Sequence, residues 1–166
     1  MAGDEGAGHR IARVEIENPG VVRYHSDVER EIKVAIYDLV ETNLFAPDAA
    51  HFASVPDGPY VLVLQVQGRQ LLLDISNQSG VPVGILSVPM TPFRKTIKDY
   101  FTVCESYYEA IRSASPAQIE ALDMGRRGLH NEGSDRLQKT LKGRIMIDHD
   151  TSRRLFTLIC ALHIRV

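Results

Sequence analysis

Only two cysteines, Cys104 and Cys160, occur in the 166 residues. Two thiols do not make a disulfide framework. Both lie in apolar surroundings, where a thiol behaves as a small hydrophobe. Long hydrophobic runs are also lacking. The densest, Leu155 to Leu162, is interrupted by Thr157. A bilayer span takes about 20 apolar residues, so no membrane-spanning segment is expected. The first nine residues have neither a basic start nor an apolar centre, so no secretory signal is read there. Cys160 is too far from the C-terminus for prenylation. These absences lead to the expectation of a cytoplasmic protein. No repeat, no low-complexity segment and no run of five like charges is present. A Walker loop, GxGxxG, GxSxG, HExxH and paired CxxC motifs are all missing. The six histidines and two cysteines show no metal-ligand spacing, so no metal and no cofactor are expected.

What remains is an ordinary globular composition, 44% hydrophobic and 24% charged. Residues 10–166 are expected to form one domain behind a disordered tail at 1–9. The formal net charge is −2, but it is unevenly placed. Residues 1–83 carry 12 acidic and 6 basic side chains, whereas residues 84–166 carry 9 acidic and 13 basic ones. Such asymmetry marks either an anionic partner for the basic half or attraction between the halves within one fold.

Residues 10–16 alternate apolar and polar and read as a half-buried strand. Asn18-Pro19-Gly20 is a turn signal. Ser26 and Glu29 have the spacing of a capping box. The helix behind them runs to about Thr42, with Val28, Ile32, Ala35, Ile36, Leu39 and Val40 on one face. Residues 43–57 show no clear period and read as a long loop. Three strands follow, joined at Gln67-Gly68 and at Asn77–Gly80, with Pro82 near the start of the third. Short turns between alternating runs require antiparallel pairing.

Thr91 and Pro92 read as the cap and first position of a helix to about Arg112. Ser115 and Gln118 form a second capping box, with Pro116 first, for a helix toward Lys142 that Gly143 stops. A short strand spans 144–148. Asp150 is read as the cap of a last helix, apolar on nearly every side and so buried. Strands and helices are segregated rather than alternating. The expected fold is α+β: a small antiparallel sheet of four or five strands packed against four helices, mostly in the C-terminal half.

The segment Asp123-Met-Gly-Arg-Arg-Gly-Leu-His-Asn-Glu-Gly133 is the least ordinary part of the chain. Each glycine costs a helix roughly 1 kcal/mol against alanine. Two local models compete. The chain breaks here, and Gly-Arg-Arg-Gly forms a loop able to cradle an anion. Alternatively, one helix runs from 116 to 142, and the glycines allow close approach of a neighbour. The second fits the apolar phase better, because Ile119, Leu122, Gly125, Leu129, Gly133, Leu137 and Leu141 share one face. On that helix Arg126 and His130 fall at the edge of the apolar face. A charge so placed needs a partner. The candidates are Asp99, Glu105, Glu109, Asp148 and Asp150.

Arg153-Arg154 falls in the first turn expected for the last helix, the end that disfavours cations. An anionic neighbour, either Asp148 or a ligand, is expected there. Tyr107-Tyr108 reads as core plus rim. His149-Asp150 resembles an orienting pair, although Asp150 is already used as a cap. His25 is expected to be exposed.

The runs Thr91–Arg94, Asp99–Phe101, Cys104–Tyr108, Asp123–Gly133 and Arg153–Leu158 resemble an uncharacterised (UPF) protein family of alphaproteobacteria. The likeness covers the chain from about residue 10 onward, and its most specific part is Asp123–Gly133. The resemblance implies a bacterial cytoplasmic protein and supplies no activity and no functional residues.

Two functional readings compete with a purely structural ion-pair network. The first is a non-catalytic binding module for an anionic small molecule or a protein partner. Its site would be Arg126, Arg127, His130 and Asn131, with Arg94 and Lys98 nearby. The alternative is a hydrolytic or acid–base enzyme with His130 as base, oriented by Glu132 or Asp123, and Ser134 one turn away. No oxyanion donor can be named for it. Nucleic-acid binding is disfavoured by the acidic balance and the lack of a basic stripe. Self-association is left open.

Overall fold

Alternating side chains build the main sheet. The structure, a computed structural model, describes residues 8–17 and 26–163. Strands β1 (Ile11–Glu17), β3 (Tyr60–Gln67), β4 (Gln70–Asn77) and β5 (Pro82–Pro89) form a sheet in the order β1-β3-β4-β5. The β3-β4-β5 meander is antiparallel, and β1 runs parallel to β3. A parallel pair needs a crossover, and helix α1 (Ser26–Glu41) lies within the connection. The register aligns Val14 with Leu62, Leu62 with Ile75, Leu64 with Leu73, and Leu73 with Leu86. All of these side chains are buried. One face of the sheet therefore forms the core, while Glu15, Asp74 and Ser87 of the other face are exposed.

The expected loop at 43–57 holds a sixth strand. Strand β2 (Phe45–Pro47) pairs antiparallel with β6 (Ile145–Ile147) as a separate two-stranded ribbon, with Phe45 opposite Ile147 and Pro47 opposite Ile145. Three residues ending in proline are too few to show a period, which is why this strand is silent in the sequence. Of the expected tail, residues 1–7 lie outside the described residues, whereas the His9 carbonyl accepts a bond from the Phe45 amide at 2.8 Å. The expected turn at 18–20, His25 and the Ser26 side chain also lie outside the described residues.

Helix α2 spans Arg94–Ser113, α3 spans Pro116–Leu141, and α4 spans His149–Leu162. Thr91 does not cap α2. The chain makes a 3-10 turn over Thr91–Phe93, closed by the Phe93 amide on the Met90 carbonyl, and no side chain caps α2. The second capping box is present, with Ser115 and Gln118 bonded reciprocally. Helix α3 is continuous through its glycines, so the loop model fails. It ends before Gly143, whose φ of 87° suits glycine. Helix α4 is capped by Asp148, not Asp150, through a 2.9 Å bond from the Thr151 amide. The earlier start moves Arg153 and Arg154 into the second turn, where the helix dipole opposes cations less.

Helix α4 packs against α1 and against α3, and α3 packs against α2. Nine of its fourteen residues are buried, among them Leu155, Phe156, Leu158 and Ile159. Its polar side chains tie it down. Thr151 Oγ1 accepts from the Leu44 amide, and the Ser152 hydroxyl donates to the Ser134 carbonyl of α3. The first bond ties the start of α4 to the segment before β2, and the second ties it to α3.

Candidate functional site

The juxtaposition of α3 and α4, with Tyr100 of α2 as a third wall, leaves a cleft of about 360 Å³. It is lined by Tyr100, Arg126, Arg127, His130, Arg153, Arg154 and Thr157. Helical spacing places the residues. Arg126 and His130 are one turn apart on α3, and Arg153 and Thr157 are one turn apart on α4.

Asp123 accepts from both arginines of its own helix. Its Oδ1 lies 2.6 Å from Arg126, and its Oδ2 lies 2.9 Å from Arg127. None of the five acids expected to pair with Arg126 does so. An i,i+3 partner on the same helix reaches it with no need for a second helix. The Arg126 guanidinium also lies over the Tyr107 ring, 4.3 Å from its centroid, a cation–π geometry. Burial works against the Arg126 charge, but the bond to Asp123 and its negative charge outweigh it and hold the guanidinium above its ordinary range. Arg154 donates to the Thr42 carbonyl at 2.9 Å. Neither Arg153 nor Arg154 has a carboxylate within ion-pair distance among the described residues, so Asp148 is not their counter-ion. Four guanidinia around one carboxylate leave three positive charges without a local balance.

His130 sits between the Tyr100 and Phe156 rings, 5.5 and 5.3 Å away. Its Nε2 lies 2.7 Å from Thr157 Oγ1, while the Thr157 hydroxyl donates to the Arg153 carbonyl at 3.0 Å. A hydroxyl has one proton. With that proton on the carbonyl, Nε2 is the donor and Nδ1 carries the lone pair. Burial, then the charges of Arg153, Arg126 and His149, push His130 down to about 4. The ring is neutral at physiological pH.

The constellation expected for acid–base chemistry is not assembled. Ser134 is fully buried, and its hydroxyl donates to the His130 carbonyl at 2.7 Å, with Nδ1 at 3.5 Å. Asp123 is held by the two arginines, and Glu132 lies in a different cleft with Asp135 and Arg136. His149 pairs with Asp135 at 2.9 Å rather than with Asp150. Tyr108 is exposed, as a rim residue, but Tyr107 is only half-buried beneath Arg126 and is not part of the core.

Arg126, Arg127 and His130 are thus brought together. Asn131 is exposed and does not line the cleft. Arg94 and Lys98 line a separate cavity with Arg69 and Lys95, near the β3–β4 turn. Sequence reasoning misses Tyr100 and Thr157. Thr157 does leave a signal, as the polar break in the densest apolar run. Among the described residues no group of His, Cys, Asp or Glu could hold a metal ion, and no helix is long and apolar enough to cross a membrane.

The model of an uncharacterised protein family, UPF0262, matches residues 8–165. The chain belongs to UPF0262. A UPF0262 protein of Nitrobacter winogradskyi is 48% identical over 96% of this chain and 93% of its own length. One of Xanthobacter autotrophicus is 51% identical over 93% of this chain and 92% of its own, and one of a Bradyrhizobium species is 50% identical over 93% and 90%. No solved structure matches the chain. The UPF0262 assignment bears out the resemblance to an uncharacterised family of alphaproteobacteria, and it names no activity.

Proposed function

We propose that the α3–α4 cleft binds a multiply charged small anion of the phosphate type, and that the protein acts as a binding module. The observation that carries this reading is the charge count. Arg126, Arg127, Arg153 and Arg154 line one concavity, and Asp123 is their one ion-paired carboxylate among the described residues. Guanidinia present forked donors that match phosphate oxygens. A concave cleft with aromatic and hydroxyl walls suits a small ligand, whereas a polymer would need a stripe. His130, pushed down to about 4, is a weak base at neutral pH, and Ser134 is buried, so both favour recognition over chemistry.

The test is thermal unfolding in orthophosphate, pyrophosphate and sodium chloride at matched ionic strength. A ligand at 100 times its Kd stabilises by about 2.7 kcal/mol. Pyrophosphate should raise the melting temperature of the wild type, and Arg153→Gln should abolish that rise. Equal effects of all three salts, or an undiminished rise in Arg153→Gln, would overturn the proposal.

A further inference from the structure

Helices α1 and α2 do not form a packed pair. Between them lies a groove of about 850 Å³, floored by α4 and separated from the anion cleft by Tyr100 and Thr157. Small side chains line it from all three helices: Ala35 of α1, Cys104 of α2, and Cys160 and Ala161 of α4. Its walls are exposed apolar residues, Val34 of α1 and Tyr108 of α2. Tyr37 and Ile111, three residues further along each helix, are also exposed. Exposed apolar side chains on two helices, with small residues between them, leave a slot that the apolar face of a helix can fill.

The rim has a definite sign. Glu31 and Asp38 of α1 and Glu105 of α2 line the groove, against Arg30. None of the three carboxylates has an ion-pair partner among the described residues. Two such acidic rims would repel each other, which disfavours a symmetric pairing of this groove with a second copy. Charge complementarity selects an occupant carrying cations.

We infer that the α1–α2 groove docks an amphipathic helix of a partner protein, its apolar face against Ala35, Cys104 and Cys160 and its flanking lysines or arginines against Glu31, Asp38 and Glu105. This surface differs from the anion cleft in place and in charge, and stands without it.

The experiment uses the full chain and a synthetic 18-residue peptide as probe, with leucines on one helical face and lysines flanking them. A second peptide replaces each lysine with glutamate. Binding is read by fluorescence anisotropy at physiological salt. The lysine peptide should bind at least about tenfold more tightly than the glutamate peptide, the size of one strong interfacial contact. Val34→Glu and Tyr108→Glu, both at exposed positions, should each abolish binding while leaving the melting temperature unchanged. Glu31→Lys combined with Asp38→Lys should reverse the preference between the peptides. Equal binding of the two peptides, no binding of either, or binding indifferent to these substitutions would overturn the inference. A concentration-dependent doubling of mass that Tyr108→Glu abolishes would also overturn it, by giving the groove to a second copy.

Discussion

The Phe156 ring of α4 lies across the backbone of Gly133 in α3, so close that a Cβ on Gly133 would fall 2.1 Å from the ring's Cζ. The glycine is what lets the two helices that carry the arginines approach each other. Gly128, nearer the N-terminus of the same helix, has no such neighbour within 4 Å.

The contrast sets a first prediction. Gly128→Ala gains helix propensity and should stabilise by up to about 1 kcal/mol. Gly133→Ala gains the same propensity but must displace a buried ring, and should destabilise by about 1–3 kcal/mol. Denaturant midpoints of the two variants check this. Equal shifts would mean that the ring does not rest on Gly133.

Arg126→Met tests the ion pair. Both partners are only part-buried, and Asp123 keeps Arg127 after the change. The loss should therefore be about 1–2 kcal/mol, a charge-assisted bond and a cation–π contact. It should fall short of the roughly 3–5 kcal/mol of an orphaned buried charge. A loss in that higher range would show that Asp123 depends on Arg126 alone.

His130 makes stability depend on acid. In the unfolded chain it titrates near the ordinary 6.5, and in the folded protein near 4. Between these values the unfolded chain holds the extra proton, so acidification favours unfolding. The contribution is whole above about pH 6.5 and is withdrawn as the pH falls toward 4. His130→Gln should flatten that part of the melting-temperature profile. A profile whose slope is unchanged in the variant would remove His130 as its source.

Two measurements on α4 check its burial. Leu158 is fully enclosed, so Leu158→Ala should cost about 2–5 kcal/mol. Cys160 is 3% exposed, and burial pushes its thiol up, whereas Cys104 is half-buried. Mass spectrometry of the alkylated native protein should find Cys104 modified well before Cys160.

Much of the fold was legible because its signals are local. Alternation in 60–66 and 71–75 marks strands, and Ser115 with Gln118 marks the start of α3. The apolar phase through Leu129, Gly133 and Leu137 shows that the glycines do not break that helix. What stayed hidden depends on distant pairing. Strand β2 exists because residues 145–147 lie beside it, and nothing within 45–47 announces that. The site was half legible for the same reason. Arg126, Arg127 and His130 share a helix, so their proximity follows from spacing. Arg153 and Thr157 join them only through the crossing at Gly133 and Phe156, and Arg94 and Lys98 are carried away by α2.

The ribbon of β2 and β6 joins residues about a hundred positions apart, and α4, the helix common to both neighbours, follows it in the chain. During synthesis the four-stranded sheet and α1 are therefore made long before β2 has its partner strand and α1 has α4. Until residues 149–162 emerge, the faces of α1 and α3 that pack on α4 stay open to solvent or to a chaperone. Pairing the ribbon closes a loop of about a hundred residues, and contacts of such separation form more slowly than local ones.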